Sequence, residues 1–520
     1  MYALIREAPI GQFLRLITRN KIFKYPEEQA GFELPESYNT AINTTVEEQP
    51  SSSRESSENE KKAEMPELRN QISTKSIRSG SAGDLEHPAI TRTKTRESTM
   101  GYTEERLEVE AELAVERTKS IPIIPQKTSD GNILVDWYTT DDPDNPQNWS
   151  ASKKHLISLI ICMYTFAVYT GSAIYITSEG GVIERFGVSE ENASLPLSLY
   201  VLAYGMGPLL FAPMSEIPII GRSPVYTVTF LIFVILSVPT ALVDNFAGLL
   251  VLRFLQGFFG SPCLANGAAS LQDIYSLLYV PYALTCWVAA AYCGPALGPL
   301  LSGFAVTAEG WRWSLWEILW IAGPVFVLMF LLVPETSTPN ILLRRAARLR
   351  KLTGDIRLQS QSEINQKGLK PSKIAVEALI KPMEITIKDP AIAFVNLYTA
   401  LVYCIYYSFF EVFPLVYPVY YQFSLGIVGV VFTCILISCV IGIAIYVAYL
   451  HFYLIPNIIA HGLRAQEHRL QPALIAAFGP PIGLFIFAWT ARPDLPWIAS
   501  VIGITIYGAS VFVVMQCIFV

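Results

Sequence analysis

The chain has 520 residues, of which 52% are apolar and 16% charged, and a formal net charge of −6. Soluble domains carry roughly 25% charged residues, so a single soluble globule is excluded, and nothing supports a basic face for nucleic acid. The deficit is uneven: residues 1–150 are polar and almost everything after them is apolar, which separates a cytosolic tail from a membrane body.

The tail opens with Arg6, Arg15, Arg19 and Lys21 among scattered apolar residues, without the continuous apolar core of a signal peptide. Residues 8–23 are expected to form a short basic amphipathic helix on the inner membrane surface. A transit peptide is the weaker reading, because Glu7 interrupts it. Residues 39–117 are rich in Ser, Thr, Glu and Lys and poor in aromatics, a composition expected to stay disordered. Residues 141–150, Asp-Asp-Pro-Asp-Asn-Pro-Gln-Asn-Trp-Ser, are a cluster of turn formers, followed by Lys153 and Lys154 at a membrane edge.

Ten apolar segments follow, near 155–177, 195–213, 226–242, 246–268, 281–306, 314–333, 391–413, 427–449, 472–489 and 497–520. A helix needs roughly 20 residues to cross the hydrocarbon core, and most are long enough. The 334–390 loop carries Arg344, Arg345, Arg348, Arg350 and Lys351 and further basic residues, whereas the loops on the other side hold only Arg185, Arg312 and Arg492. Basic loops stay in the cytosol, so that loop and the N-terminus are expected there. Six segments (151–333), a long loop and then more segments (391–520) is the layout of a transporter of two repeated halves. The second half shows four segments where six are expected. All eight cysteines fall in apolar segments without a C-x-x-C pair and read as buried thiols. No metal cluster or cofactor motif is present, and without a Gly-Lys pair there is no P-loop for ATP.

Three motifs stand out. Between the second and third segments, Gly207, Glu216, Gly221 and Arg222 form a loop with a carboxylate, a glycine and an arginine. The fourth segment contains Arg253-Phe254-Leu255-Gln256-Gly257. The fifth contains Gly294-Pro295-Ala296-Leu297-Gly298-Pro299, where small residues permit close helix contact and prolines bend the helix. Together with Pro334-Glu335-Thr336-Ser337 and Pro414, these resemble the major facilitator superfamily. Within it they are most similar to fungal drug:proton antiporters of the twelve-helix class, the benomyl, cycloheximide and fluconazole resistance group. Glu216 stands for the usual aspartate, two extra residues precede Gly221, and Ala290 and Pro299 replace two glycines of the antiporter signature.

The resemblance implies an all-α membrane protein of the major facilitator fold, with a six-helix N-terminal half and an incomplete, four-helix C-terminal half. It implies that the chain stops short of the eleventh and twelfth helices, and that the 216–222 loop lacks the eleventh helix it docks against. The implied function is proton-coupled export of small amphipathic compounds across the plasma membrane by a monomer embedded in the bilayer. A nutrient importer of the same fold and an inactive truncated transporter are the other readings. The implied cavity lies between segments one, four, seven and ten.

A proton carrier must lose its charge in an apolar site, which a carboxyl group does when desolvation favours its neutral form. Arg253 in a span is either half of a structural ion pair or the group that tunes such a carboxyl. The candidate carriers are Glu411, flanked by Phe409, Phe410 and Phe413, and Glu179 and Glu317 near outer helix ends, where interface charges explain them as well. Glu335, at the exit of segment six, reads as solvated. Tyr403, Tyr407 and Phe410 are expected to line the substrate cavity, where rings stack on a flat ligand.

Overall fold

The computed structural model describes residues 2–43, 90–91, 106–107, 120–128, 130–366, 376, 380, 383–464 and 466–519. Most of the 39–117 stretch, expected to be disordered, lies outside them.

Among the described residues, ten helices are long and apolar enough to cross a membrane. Before the central loop they are Ala151–Phe186, Glu190–Glu216, Arg222–Leu242, Phe246–Ile274, Val280–Glu309 and Trp313–Leu332. After it come Pro390–Tyr421, Leu425–His461, Glu467–Thr490 and Trp497–Phe519. We refer to them as spans one to ten. Each overlaps an expected segment, and the main difference is length. Span one tightens into a 3-10 turn at Ile174–Ser178 and resumes as the helix Glu179–Phe186, so Glu179 belongs to a continuing helical rod. Helices are the natural outcome here, since a bilayer offers backbone groups no water to bond. Polar residues mark two starts: Asn245 accepts from Gly248 N at 2.5 Å and Asp389 from Ala391 N at 2.9 Å, satisfying donors that the first turn leaves free.

Much of the described tail is folded against the central loop. The loop contributes the helix Thr338–Thr353 and the strand Leu358–Gln359, which pairs in parallel with Ile133–Leu134 of the tail. Tyr38, Ile133, Val135, Ala346 and Leu349 form a small apolar core there. The 141–150 turn is present as expected: Asp142 accepts from Tyr138 N and Asp144 N, and Asn145 from Gln147 N. The amphipathic helix is Pro9–Ile17, but its Arg15 points inward, to Glu28 at 2.8 Å.

At the centre of this collar sits Arg345, whose side chain is 1% exposed. It donates to Asp142 at 2.6 Å and Asp144 at 2.7 Å and lies 3.8 Å from Glu27. Glu27 also receives Arg348 at 3.1 Å and the Tyr138 hydroxyl at 2.8 Å. Burial alone would raise the pKa of Asp142, but the charge and hydrogen bonds of Arg345 outweigh it and hold that carboxyl below its ordinary value. Glu27 is held down in the same way, by Arg348 and Arg345 against its burial.

Candidate functional site

Span one stops being α-helical at Ala173, and the last carbonyls of an α-helix need partners from outside it. Arg253, on span four and fully buried, supplies them: its Nη1 donates to Gly171 O at 2.8 Å and its Nη2 to Ser172 O at 3.1 Å. The guanidinium lies 4.5 Å from the Tyr200 ring centroid and 5.4 Å from that of Tyr175. No carboxylate among the described residues bonds it, so the structural ion pair is absent, and Nε is left without a partner. A span arginine costs roughly 2.5–3.5 kcal/mol on insertion scales. Hydrogen bonds involving a charged group return about 1.5–3 kcal/mol each, so the two carbonyl bonds and the rings suffice to hold a lone cation.

Tyr175 connects this cation to two carboxyl groups. Glu179 of span one and Glu411 of span seven interact electrostatically with one another, and Tyr175 interacts with both and with Arg253. Both glutamates are half-buried, and each has a buried Oε1 with no hydrogen-bond partner. Glu317, on span six, also has an unpartnered buried oxygen, Oε2, but no interaction with the other two. The cluster therefore joins one acidic residue from each half around a shared tyrosine, on the side of the membrane opposite the central loop.

A cavity of about 300 Å3 lies between the halves, lined by residues of spans one, four, five, seven and ten, among them Tyr169, Trp287, Tyr292, Tyr403 and Phe519. Trp287 is near the start of span five and Phe519 ends span ten, which places the cavity toward the central-loop side. Tyr403 lines it. Tyr407 instead approaches Ser172, with the two hydroxyls 3.4 Å apart, linking span seven to the residue that holds Arg253. Phe410 is fully buried and stacked on Phe432, with ring centroids 5.2 Å apart.

The Gly-Pro pairs of span five work by close approach. A Cβ on Gly294 would stand 2.8 Å from Tyr169 Cβ, and one on Gly298 3.0 Å from Ile174 N. The first is too short for any side chain and the second is tighter than most real contacts, so span one lies directly against these glycines at the place where it changes helix type. Pro295 and Pro299 are buried within the same helix, and the backbone oxygen of Pro299 crowds Gly429 of span eight.

On the central-loop side, Arg222 is buried between Asp273 at 2.6 Å and the half-exposed Glu216 at 2.9 Å. Gly221 has φ 79°, a left-handed conformation that favours glycine. Gly207 faces Ser261 and the Phe258 carbonyl of span four, leaving no room for a side chain. Glu335 corrects the expectation of a solvated residue: it is 4% exposed and accepts hydrogen bonds from the backbone N–H groups of Arg222, Ser223, Thr336 and Ser337. An acceptor here satisfies the free donors at the start of span three. Asn340 adds a bond to Pro218 O at 2.6 Å.

Residues 159–520 match the Major Facilitator Superfamily. The chain belongs to that superfamily. It is 47% identical over 395 residues to "MFS-type transporter pyvG" of Aspergillus violaceofuscus, covering 76% of this chain and 73% of that one. It is 37% identical over 400 residues to the "Cycloheximide resistance protein" of Candida maltosa, covering 76% and 72%. It is 38% identical over 385 residues to "Fluconazole resistance protein 1" of Saccharomyces cerevisiae, covering 74% and 70%. Members of the superfamily are transporters rather than enzymes, and this one is a multi-pass membrane protein.

For this major facilitator protein, sequence reasoning missed several residues of the site. Tyr175, Tyr200 and Tyr169 look like ordinary aromatics of apolar segments, and only the fold brings them to Arg253 and the cavity. Asp273 had a signal, since it is an acidic residue ending an otherwise apolar segment, where an intramembrane charge marks a partner nearby.

Proposed function

We propose that the chain is a proton-coupled exporter of small amphipathic organic compounds (drugs, fungicides or secondary metabolites), acting as a monomer in the plasma membrane by alternating access. The observation that carries this reading is the Glu179–Glu411 pair. Each half contributes one carboxyl group with an orphaned buried oxygen, and both interact with the tyrosine that faces Arg253. Two like charges across an interface resist its closure, and adding a proton to either removes the resistance. The pair thus couples protonation to the packing of the two halves at the end away from the central loop. Arg253, held by carbonyls rather than by a carboxylate, reaches the pair through Tyr175, which interacts with all three. Glu317 is the weaker candidate carrier.

The basic central loop and the N-terminus face the cytosol. On that assignment the aromatic cavity opens inward and collects substrate from the cytosol or inner leaflet. Its volume is at the lower end of the roughly 300–1,000 Å3 of small-molecule sites. The drug-resistance names of the relatives support amphipathic compounds as the cargo class. One proton moving down 100 mV supplies roughly 2.3 kcal/mol, enough for on the order of fifty-fold accumulation.

The test uses a pump-deficient fungal host and inside-out plasma-membrane vesicles from it. Labelled cycloheximide and fluconazole are followed with and without an imposed acid-inside gradient. Gradient-dependent uptake into the vesicles, abolished by a protonophore, is expected. Uptake indifferent to the gradient, or concentrative transport in the opposite direction, would contradict the reading.

A further inference from the structure

A second cavity, also about 300 Å3, lies where the helix Tyr2–Glu7, the 141–150 turn and the helix Thr338–Thr353 meet. Its wall includes Trp149 and Lys153, at the entry of span one, and Glu335, just past the exit of span six. It therefore sits at the membrane surface on the central-loop side.

The charges of this wall do not all answer one another. Its carboxylates are taken: Glu7 by Arg6 at 2.8 Å and the Tyr25 hydroxyl at 2.9 Å, Asp144 by Arg345 at 2.7 Å, and Glu335 by four backbone N–H groups. Arg6 is matched by Glu7, and Arg348 by Glu27. Lys153 and Arg344 remain: Glu7 and Asp144 act on Lys153 electrostatically from across the wall, but neither cation has a hydrogen bond or ion pair among the described residues. The Lys153 ammonium lies 3.8 Å from the Trp149 ring centroid, a contact that places the cation but supplies no acceptor. Trp149 is 7% exposed, and its indole N–H is buried without an acceptor. A buried donor left unmatched costs about 1–3 kcal/mol, and here its residue lines a cavity with two cations that have no bonded acceptor among the described residues. The missing partner is an anion with several oxygens.

The surroundings name its source. The next tail helix, Pro9–Ile17, packs Phe13 against Phe330 near the end of span six, with ring centroids 6.5 Å apart. It leaves Phe13, Leu16 and Ile17 54%, 76% and 62% exposed. A helix with an exposed apolar face beside a membrane span lies in the headgroup–acyl boundary, and this one carries the cavity's own tail segment down to that depth. We propose that the cavity binds the headgroup of a net-anionic phospholipid from the leaflet on the central-loop side, with Lys153, Arg344 and the Trp149 N–H as its donors.

The full chain, reconstituted in nanodiscs of phosphatidylcholine with or without phosphatidylinositol 4-phosphate, tests this by native mass spectrometry of retained lipid. Inorganic phosphate and a soluble inositol phosphate are added in competition. Retention of the phosphoinositide over phosphatidylcholine is expected. Each neutralised cation should lower it about fivefold, so Lys153→Gln with Arg344→Gln should lower it on the order of twenty-fold. Trp149→Phe keeps the ring under Lys153, removes the N–H and should lower retention about fivefold; it carries the test if the double variant fails to fold. Equal retention of the two lipids, or retention unchanged in every variant, overturns the site. Displacement of the lipid by soluble phosphate at matched concentration overturns the lipid as its source.

Discussion

Arg253 and Arg345 are both almost wholly buried, and the molecule treats them in opposite ways. Arg345, in the collar on the central-loop side, is surrounded by Asp142, Asp144 and Glu27. Arg253, in the membrane body, is held by two backbone carbonyls and two aromatic rings, while Glu179 and Glu411, linked to it through Tyr175, each keep an oxygen unbonded. Carbonyls cannot titrate, so Arg253 keeps its place whichever protonation state its neighbours adopt. The carboxylates around Arg345 are committed to it and fix one arrangement. One arginine is clamped by carboxylates and the other is held by groups that carry no charge.

The comparison can be broken at either arginine. Arg253→Ala should reduce drug efflux to background while the protein stays in the membrane at normal abundance, as measured by efflux and membrane fractionation. The lost contacts are two carbonyls at a helix end, which the fold tolerates, whereas the cation that Tyr175 shares with Glu179 and Glu411 is not replaced. Wild-type efflux in this variant would remove Arg253 from the coupling machinery. Arg345→Ala should do the reverse, destabilising the collar by about 3–5 kcal/mol because it leaves the buried Asp142 carboxylate without its cation. Limited proteolysis of the tail and central loop should report that loss, with transport per surviving molecule unchanged.

Smaller effects sharpen the contrast. Gly294→Ala places a methyl group against Tyr169 and the span-one backbone. It should cost about 1–3 kcal/mol by overpacking, visible as a lower melting temperature and slower transport. The smallest expected effect is that of mild acid on the collar. The carboxyls of Asp142 and Glu27 are held below their ordinary pKa values. Their stabilisation is thus present above the unfolded value of roughly pH 4 and lost only as pH falls through the lower folded one. Protease resistance of the collar should therefore be flat between about pH 5 and 8. A loosening of the collar near neutral pH would count against the clamp.

Most of the fold was legible because bilayer-spanning helices announce themselves by length and apolarity, and all ten expected segments lie on spans. The glycines of span five were legible for a similar reason: a small residue every fourth position has few uses in a membrane other than close contact. The collar was not legible. Its core joins Tyr38 and Ile133 to Leu349 across the length of the N-terminal half, and no local periodicity reports such pairing. Glu335 was misjudged because its burial depends on four backbone donors that the fold brings together, two of them at the start of span three. The placement of Tyr407 beside Ser172, and of Phe410 against Phe432, is likewise set by helix rotation, which hydropathy leaves open.

The central claim is that Glu411 and Glu179 exchange protons while Arg253 stays in place. The most direct measurement is proton movement per substrate molecule in proteoliposomes, comparing the wild type with Glu411→Gln and Glu179→Gln. The wild type should move protons against substrate and accumulate it under a pH gradient. Glu411→Gln should still bind substrate and exchange it across the membrane, but with no proton movement and no response to the gradient, and Glu179→Gln should weaken the response without abolishing binding. Unchanged proton movement and gradient-driven accumulation in both variants would contradict the account.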